Sequence, residues 1–393
     1  MVLVCLAALA ALADATDLSK LTRANNGFAF DLLRQSAAGQ PDQNVFLSPY
    51  SAFNALQMLN NGAAGKTRAE IQSVLKIENL PPDELNGASR DLRQSLLSQT
   101  NVALDVANSI WVNQGFELKP DFLAANQRFF QAELGSVNFQ TPEAADTINQ
   151  WAKTNTRGKI NHVVAFPFPV HTELVLADAI YFKGEWKKPF DKSRTQRRFF
   201  YLANGIIKQK PMMSQHGKFR YQQAGDFQAI QLPYSGNRLE MMLFLPATNS
   251  SPAKLLTEID GTNWESKILP FFFEREGTVT FPKFKLNYEI ALNLPLQALG
   301  MQQAFLPGSA NFSAMSADPL YVNLVKQKSY VDVNEEGTEA AAVTTVTVAA
   351  SVMMRPLAPF EMLVDRPFLF VIADDATRVI LFTGIINDPA VDD

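Results

Sequence analysis

Residues 331–356 read VDVNEEGTEAAAVTTVTVAASVMMRP. From Thr338 to Ala350 every second residue is small or β-branched, while the residues between them tolerate water better. This alternation is typical of a strand with one buried face. Gly337, which has no Cβ to restrict its backbone, can act as a hinge before that strand. The spacing alone leaves open an ordinary core strand, or a helix that begins within Glu335–Ala342.

The rest of the chain separates helical patterns from strand patterns. Periodicity and capping residues predict helices at 18–37, 50–60, 67–75, 82–98, 119–132 and 143–157. Strands are predicted at 102–112, 174–182, 227–232, 239–245, 278–286, 320–334, 368–373 and 379–386. Helices that come early and strands that come late indicate an α+β fold. Because no linker, repeat or low-complexity tract interrupts the chain, we expect a single domain at residues 16–393.

The first fifteen residues are set apart by their composition. Val2–Ala13 is almost wholly apolar and leads to small residues at Ala13 and Ala15. This pattern is typical of a secretory signal peptide, so we predict that residues 1–15 are removed and that the protein is secreted and extracellular. A buried N-terminal helix is the alternative, since the basic start of a signal peptide is missing. Cys5, the only cysteine, would be lost with this segment.

Charge and hydropathy limit the classes of partner. The formal net charge is −4, with acids and bases mixed along the chain. We expect no nucleic acid partner, because phosphate binding needs clustered Lys and Arg. The densest basic stretch, Lys187–Arg198, is interrupted by Asp191 and is interpreted as a solvated face. We expect no membrane span, because the N-terminal apolar run is shorter than the roughly 20 residues needed. Asn249 and Asn311 begin Asn-x-Ser triplets and are possible N-glycosylation sites.

No pattern in the sequence singles out a catalytic or metal site. The three histidines, His162, His171 and His216, each stand alone, without a second ligand at zinc-site spacing. There is no nucleophile elbow and no phosphate-binding glycine loop. We therefore predict that the protein is not an enzyme and that it has no metal or other cofactor.

Several motifs, in the right order, resemble those of the serpin family. Val331–Ala342 resembles the proximal hinge of that family, and Met362–Ile372 resembles its C-terminal signature. Other family elements are matched at Asn44–Ser51, Thr67–Ile71, Thr156–Ile160, Tyr181–Trp186, Phe281–Phe284 and Phe382–Gly384. The resemblance covers about residues 18–389, which is nearly the whole chain.

The resemblance implies a fold of three β-sheets and about nine helices, with an exposed reactive-centre loop at about residues 335–363. It also implies a monomeric, single-use inhibitor of serine proteases. The target protease cuts the loop and forms a covalent acyl-enzyme, and the loop then enters the central sheet as a new strand. The hinge that enters first would comprise Glu335, Glu336, Gly337, Thr338, Glu339, Ala340, Ala341 and Ala342.

The resemblance also places a polar cluster, together with Trp186, where the central sheet opens. Ser48 and Ser51 match the family there, but Asp178 stands where the family usually has Asn. Gln327 stands where it usually has His. We expect Asp178 to accept a hydrogen bond from Gln327 or from a serine, so that a polar network persists.

Counting from the hinge, as the family does, puts the reactive bond between Ser351 and Val352. Ala350, Met353 and Met354 are nearby alternatives. The small and apolar residues around this bond suit an elastase-like or subtilisin-like protease. Chymotrypsin-like or cysteine proteases remain alternative targets, and a non-inhibitory carrier, chaperone or storage protein remains an alternative function.

Overall fold

The structure is a computed structural model that describes residues 2–98, 102–338 and 358–390, with side chains from Leu18 onward. All six predicted helices are present, and the first begins earlier than expected. The α-helices in the described ranges are α1 (Val2–Ala37), α2 (Pro49–Gly62), α3 (Gly65–Leu75), α4 (Pro82–Leu97), α5 (Pro120–Phe130), α6 (Pro142–Asn155), α7 (Pro252–Glu258), α8 (Gly261–Asn263) and α9 (Asn293–Ala298).

The predicted strands are also present, and the one expected at 278–286 is in fact two strands separated at Lys283. The strands in the described ranges are β1 (Val45–Leu47), β2 (Val102–Asn113), β3 (Glu133–Val137), β4 (Leu174–Glu185), β5 (Gln196–Tyr201), β6 (Ile207–Gln223), β7 (Phe227–Pro233), β8 (Leu239–Pro246), β9 (Phe273–Pro282), β10 (Phe284–Ala291), β11 (Val322–Val333), β12 (Gly337–Thr338), β13 (Phe360–Leu363), β14 (Phe368–Asp374) and β15 (Ile380–Ile386).

Helix α1 runs without a break through the predicted signal segment. Removal of residues 1–15 stays a prediction, because a helical conformation agrees both with a signal peptide and with a structural helix. Within the described residues, no helix is long and apolar enough to cross a membrane.

The six-stranded sheet has the strand order β10-β11-β12-β4-β2-β3. Its central strands β11 and β4 pair directly and in parallel, from Val322 opposite Leu174 to Tyr330 opposite Tyr181. Beyond Tyr330 and Tyr181 the two strands separate, and the two residues of β12 lie between them. The seam between β11 and β4 is therefore closed over most of its length and open only at one end.

The nine-stranded sheet has two parts that share the long strand β6. Near its end, Arg220–Gln223 pairs with β7, which leads through β8, β14 and β15 to β1. Along Met212–Tyr221 the same strand pairs with β9, which continues to β13, and β5 pairs with the other end of β6. Together with the six-stranded sheet, these parts form the three sheets that the sequence predicted in an α+β fold.

Two layers of apolar side chains lie on opposite faces of the six-stranded sheet. The larger one packs that sheet and helices α1 and α2 against the nine-stranded sheet. The smaller one lies between the sheet and α6 and includes Trp111, Ile148, Phe168 and Val175. Ala177 and Ala179 of β4 belong to this second layer, so small side chains line the sheet beneath α6.

Candidate functional site

The residues that follow β11 form a tight turn at the open end of the seam. The backbone amide of Asn334 donates to the Gly337 carbonyl at 2.8 Å, and the Gly337 amide donates back at 3.2 Å. Gly337 has a φ of +146°, and a Cβ there would collide with the Gly184 carbonyl oxygen. Only glycine therefore fits the turn that leads the chain from β11 towards β4.

Thr338 already occupies a place in the six-stranded sheet. It pairs with Val333 on one side and with Gly184 on the other, and its side chain is 0% exposed. Its hydroxyl lies 3.0 Å from the Tyr234 hydroxyl, and the Tyr234 ring stacks on Trp186 at 4.6 Å. The first small residue of the alternating pattern is thus buried, as the sequence predicted for that position.

Glu335 and Glu336, the first two of the three hinge glutamates, anchor the turn to neighbouring segments of the chain. Glu335 is ion-paired with Lys283 at 2.9 Å and accepts a hydrogen bond from the Thr195 hydroxyl at 2.7 Å. Burial alone would raise the pKa of Glu335, but these two contacts more than offset it and lower the pKa. The carbonyl of Glu336 accepts from the Trp186 amide at 3.0 Å.

The expected exposed loop is consequently narrower than the range 335–363. At its start, Glu335 and Thr338 are buried. At its end, β13 pairs in parallel with β9, and the Phe360 ring stacks on Tyr221 at 4.0 Å. The remaining hinge residues and the predicted reactive bond lie outside the described residues, namely Glu339, Ala340, Ala341, Ala342, Ala350, Ser351, Val352, Met353 and Met354.

The closed seam has a buried polar cluster at its middle. Gln327 of β11 pairs with Asp178 of β4, which in turn pairs with Asn108 of β2, so the three side chains lie side by side. The Gln327 side chain accepts from the Ser48 amide at 2.8 Å and donates to the Ser48 carbonyl at 2.9 Å. The Asn108 side chain donates to the Ser51 hydroxyl at 2.8 Å. These contacts tie α2 to both sides of the seam.

Asp178 takes its hydrogen bond from a residue that the sequence analysis did not name. The donor is the Asn108 amide, at 2.8 Å from one carboxyl oxygen, whereas Gln327 is engaged by the Ser48 backbone. The other oxygen of Asp178 is buried without a partner. Complete burial raises the pKa of Asp178 to about 7, although the hydrogen bond from Asn108 and the nearby Gln327 amide oppose this shift.

The Asp178→Asn variant is expected to remove a pH dependence of stability. The pKa of Asp178 is higher in the folded protein than the ~3.9 of an unfolded Asp, so its contribution is fully present below pH ~4 and is lost as the pH rises through 7. Relative to Asp178→Asn, the free energy of unfolding of the parent should fall by about 4 kcal/mol between pH 4 and pH 8. Chemical unfolding of both proteins across this range measures the difference.

All other titrating groups are common to the two proteins, so each serves as the control for the other. If the two stabilities change in parallel with pH, Asp178 is ionised throughout and the assignment is wrong.

The remaining predicted residues are Trp186 and the two glycosylation sites, Asn249 and Asn311. Trp186 lies at the hinge itself, where its indole nitrogen donates to the Asn334 carbonyl at 2.9 Å. The side chains of Asn249 and Asn311 are exposed, as glycosylation would require, and that modification stays a prediction. Within the described residues, no group of three or more His, Cys, Asp or Glu side chains is arranged to hold a metal ion.

The chain matches the family described as "Serpin (serine protease inhibitor)" over residues 23–389. The protein belongs to the serpin family. The resemblance seen in the sequence and the α+β serpin fold are therefore confirmed. Its similar proteins include protease inhibitors, such as a leukocyte elastase inhibitor, and also a thyroxine-binding globulin.

Similar proteins cover nearly all of this serpin. The glia-derived nexin of Rattus norvegicus is 34% identical over 376 residues, which is 91% of each chain. The leukocyte elastase inhibitor of Homo sapiens is 34% identical over 387 residues, covering 95% of this chain and all of its own. A structure of human thyroxine-binding globulin complexed with thyroxine has a TM-score of 0.86 and 27% identity, and covers 95% of this chain and 100% of its own.

Three residues that hold the hinge and the polar cluster were not predicted from the sequence. Lys283 and Thr195 hold Glu335, and Asn108 holds Asp178. A signal for Asn108 was available, because it is the polar residue on a face of β2 that otherwise carries Leu104, Val106, Ile110 and Val112. Lys283 lies within the matched element Phe281–Phe284, but its pairing with Glu335 could not be predicted because the two residues are distant in sequence, and Thr195 carries no signal.

Proposed function

We propose that this serpin is a suicide-substrate inhibitor of serine proteases, and that its cleaved loop becomes a new strand between β11 and β4. The observation that carries the proposal is that Thr338 is buried and already pairs with both of these strands. Directly below it, β11 and β4 pair with each other. The structure therefore has the start of an additional strand, and a seam along which that strand can continue.

Trapping is a proteolysis reaction that stops at the acyl-enzyme. The serine hydroxyl of the protease attacks the carbonyl carbon of Ser351 and gives its proton to the catalytic histidine of the protease. The bond to Val352 breaks, and the Val352 nitrogen takes that proton and leaves as an amine. An ester then joins Ser351 to the protease. Insertion of the loop carries the protease away before water hydrolyses the ester.

The register of β12 predicts where the inserted strand would end. Thr338 lies opposite Gly184 in an antiparallel pair, so each step along the loop matches one step back along β4. Continued in this register, Val348 comes opposite Leu174, the first residue of β4. Ser351 then lies just beyond the end of the sheet. Full insertion thus places the attached protease at the far end of the molecule.

The same register brings Thr344 opposite Asp178. The hydroxyl of Thr344 is then available as a donor to the carboxyl oxygen of Asp178 that is buried without a partner in the closed sheet. Insertion would therefore satisfy a polar atom that the present structure leaves unsatisfied, and this favours the inserted state.

The proposal is tested by mixing this serpin with an elastase-like protease and analysing the products in denaturing detergent. We expect a covalent complex whose mass is that of the protease plus the serpin without its short C-terminal fragment. Complete cleavage without any complex would contradict inhibition, and would favour a non-inhibitory function such as a carrier. If a complex forms only with chymotrypsin-like or cysteine proteases, the proposed mechanism is supported and the proposed target class is wrong.

We predict that the reactive bond lies between Ser351 and Val352 and not after Arg355. Each additional inserted residue adds about 3.3 Å of slack, so a cut after Arg355 would leave the protease about 13 Å further from the end of the sheet. The following residue, Pro356, also hinders cleavage after Arg355. Mass spectrometry of the C-terminal fragment released from the complex locates the bond. A fragment that begins at Pro356, together with efficient trypsin inhibition, would overturn this prediction.

We further propose that this serpin is secreted as a monomer after losing residues 1–15. The apolar segment that ends at Ala13 and Ala15 supports the proposal. N-terminal sequencing of exported protein should find a new N-terminus near residue 16, and an intact Met1 would contradict this. Sedimentation of the purified protein checks that it is a monomer.

A further inference from the structure

A cavity of about 370 Å³ lies between the segment of residues 162–172 and the six-stranded sheet. It is on the sheet face that α6 covers, outside both the hinge and the buried polar cluster. Its walls include the apolar side chains of Val164, Phe168, Val175 and Leu324. A cavity of this volume is at the lower end of the range of small-molecule sites.

The cavity lies across the seam that has to open during loop insertion. Val175 belongs to β4 and Leu324 to β11, these two residues are paired in register, and both line the cavity. Neighbouring strands lie about 4.8 Å apart, so an inserted strand would roughly double the separation of the two walls. A molecule that contacts both residues therefore fits the closed seam and not the opened one.

A charged cluster at the rim of the cavity has an excess of positive charge. Glu289 and Lys326 line the cavity, and Lys328 lies next to it, paired with Glu289. Glu289 is ion-paired with Lys326 at 3.6 Å and with Lys328 at 3.0 Å. The hydrogen bond from Lys328, with Lys326 nearby, lowers the pKa of Glu289, so this carboxylate is ionised. Two ammonium groups thus share a single carboxylate, and one positive charge is left to attract an anion.

Two of the polar side chains along the wall, those of Asn323 and Thr172, are already engaged within the protein. The Asn323 side chain accepts from the Glu173 amide at 2.7 Å, and the Thr172 hydroxyl donates to the Pro169 carbonyl at 2.7 Å. The interior consequently offers apolar contact, and the rim offers a charge. This combination matches a ligand with an apolar body and one anionic end.

We propose that this cavity binds a small amphipathic carboxylate of the medium-chain fatty acid type, and that binding opposes insertion of the loop. The second part rests on the proposed function, because it assumes that β4 and β11 separate. A ligand that binds only the closed seam stabilises that state in proportion to its occupancy. Insertion then slows, hydrolysis of the acyl-enzyme competes better, and more of the serpin is consumed as a substrate.

Binding is tested first, without any protease. Titration calorimetry with decanoate, below the concentration at which it forms micelles, should show one site. Decanol and decylammonium, which have the same chain without the negative charge, should bind at least tenfold more weakly. Lys326→Gln should weaken decanoate binding by a similar factor. Ala165→Trp, which places a large side chain at the cavity wall, should abolish it, while Ala124→Trp on the exposed face of α5 should leave it unchanged.

The coupling is tested by measuring the yield of covalent complex with and without saturating decanoate. We expect decanoate to lower the yield at least twofold in the parent and in Ala124→Trp, and to have no effect in Ala165→Trp. If no complex forms even without decanoate, the proposed inhibitory function is wrong. The calorimetry still shows whether the cavity binds decanoate. Binding without an effect on the yield would overturn the coupling, and equal binding of decanoate and decylammonium would overturn the site.

Discussion

Thr338→Arg is expected to convert this serpin from an inhibitor into a substrate. Position 338 is 0% exposed and lies between Val333 and Gly184, with the Tyr234 hydroxyl beside it. An unpaired guanidinium buried there would cost several kcal/mol, so the Arg side chain should keep the hinge out of the sheet. Insertion would then be slower than hydrolysis of the acyl-enzyme. The yield of covalent complex should fall at least tenfold while the rate of loop cleavage is maintained.

Thr338→Ser is the matched control, because it keeps a small side chain and a hydroxyl that can reach Tyr234. It should form the complex nearly as well as the parent. The measurement is the number of serpin molecules consumed for each protease molecule trapped. A Thr338→Arg protein that traps protease with the stoichiometry of the parent would show that position 338 does not enter the sheet first.

Cleavage of the loop near residue 351 should raise the melting temperature by about 10 °C or more. In the closed state β4 and β11 share one ladder of hydrogen bonds, from Leu174–Tyr181 to Val322–Tyr330. An inserted strand replaces this ladder with two, so the sheet gains roughly one further ladder. At about 1 kcal/mol net for each hydrogen bond, the gain is on the order of 5–10 kcal/mol before burial of side chains is considered.

The experiment compares thermal unfolding before and after the loop is nicked by a protease that this serpin does not trap. Nicked Thr338→Arg serves as the control, because its cleaved loop should insert poorly and its melting temperature should change less. Equal melting temperatures for the intact and nicked parent would mean that no strand is inserted. That result would favour the non-inhibitory alternative.

The sequence predicted well those parts of this serpin that depend on local patterns. The alternation that begins at Thr338 indicated a buried face, and the structure buries that residue. Gly337 was predicted as a hinge, and its φ of +146° requires glycine. Helices with a periodic apolar face, such as α2 and α4, were predicted to within a few residues. In each case neighbours along the chain create the pattern, so it can be detected without knowing the fold.

The sequence was less informative where strands depend on their partners. The edge strand β5 was missed, because Arg197 and Phe199 are exposed and no alternation marks them. The segment at 278–286 was predicted as one strand, but Lys283 lies between β9 and β10, which belong to different sheets. Which sheet a strand joins is decided by residues that are distant in sequence.

By itself, then, the sequence determined the family of this serpin and its α+β composition, and it predicted the hinge, since motifs and periodicities are local properties of the chain. Only the tertiary structure decided how far the hinge is inserted and which residues hold it, because Lys283 and Glu335 come together from segments that are distant in sequence. It also decided that Asn108 is the donor to Asp178, since register between strands brings them together. The cavity at the Val175–Leu324 seam arises in the same way, because packing creates a space that no single segment encodes.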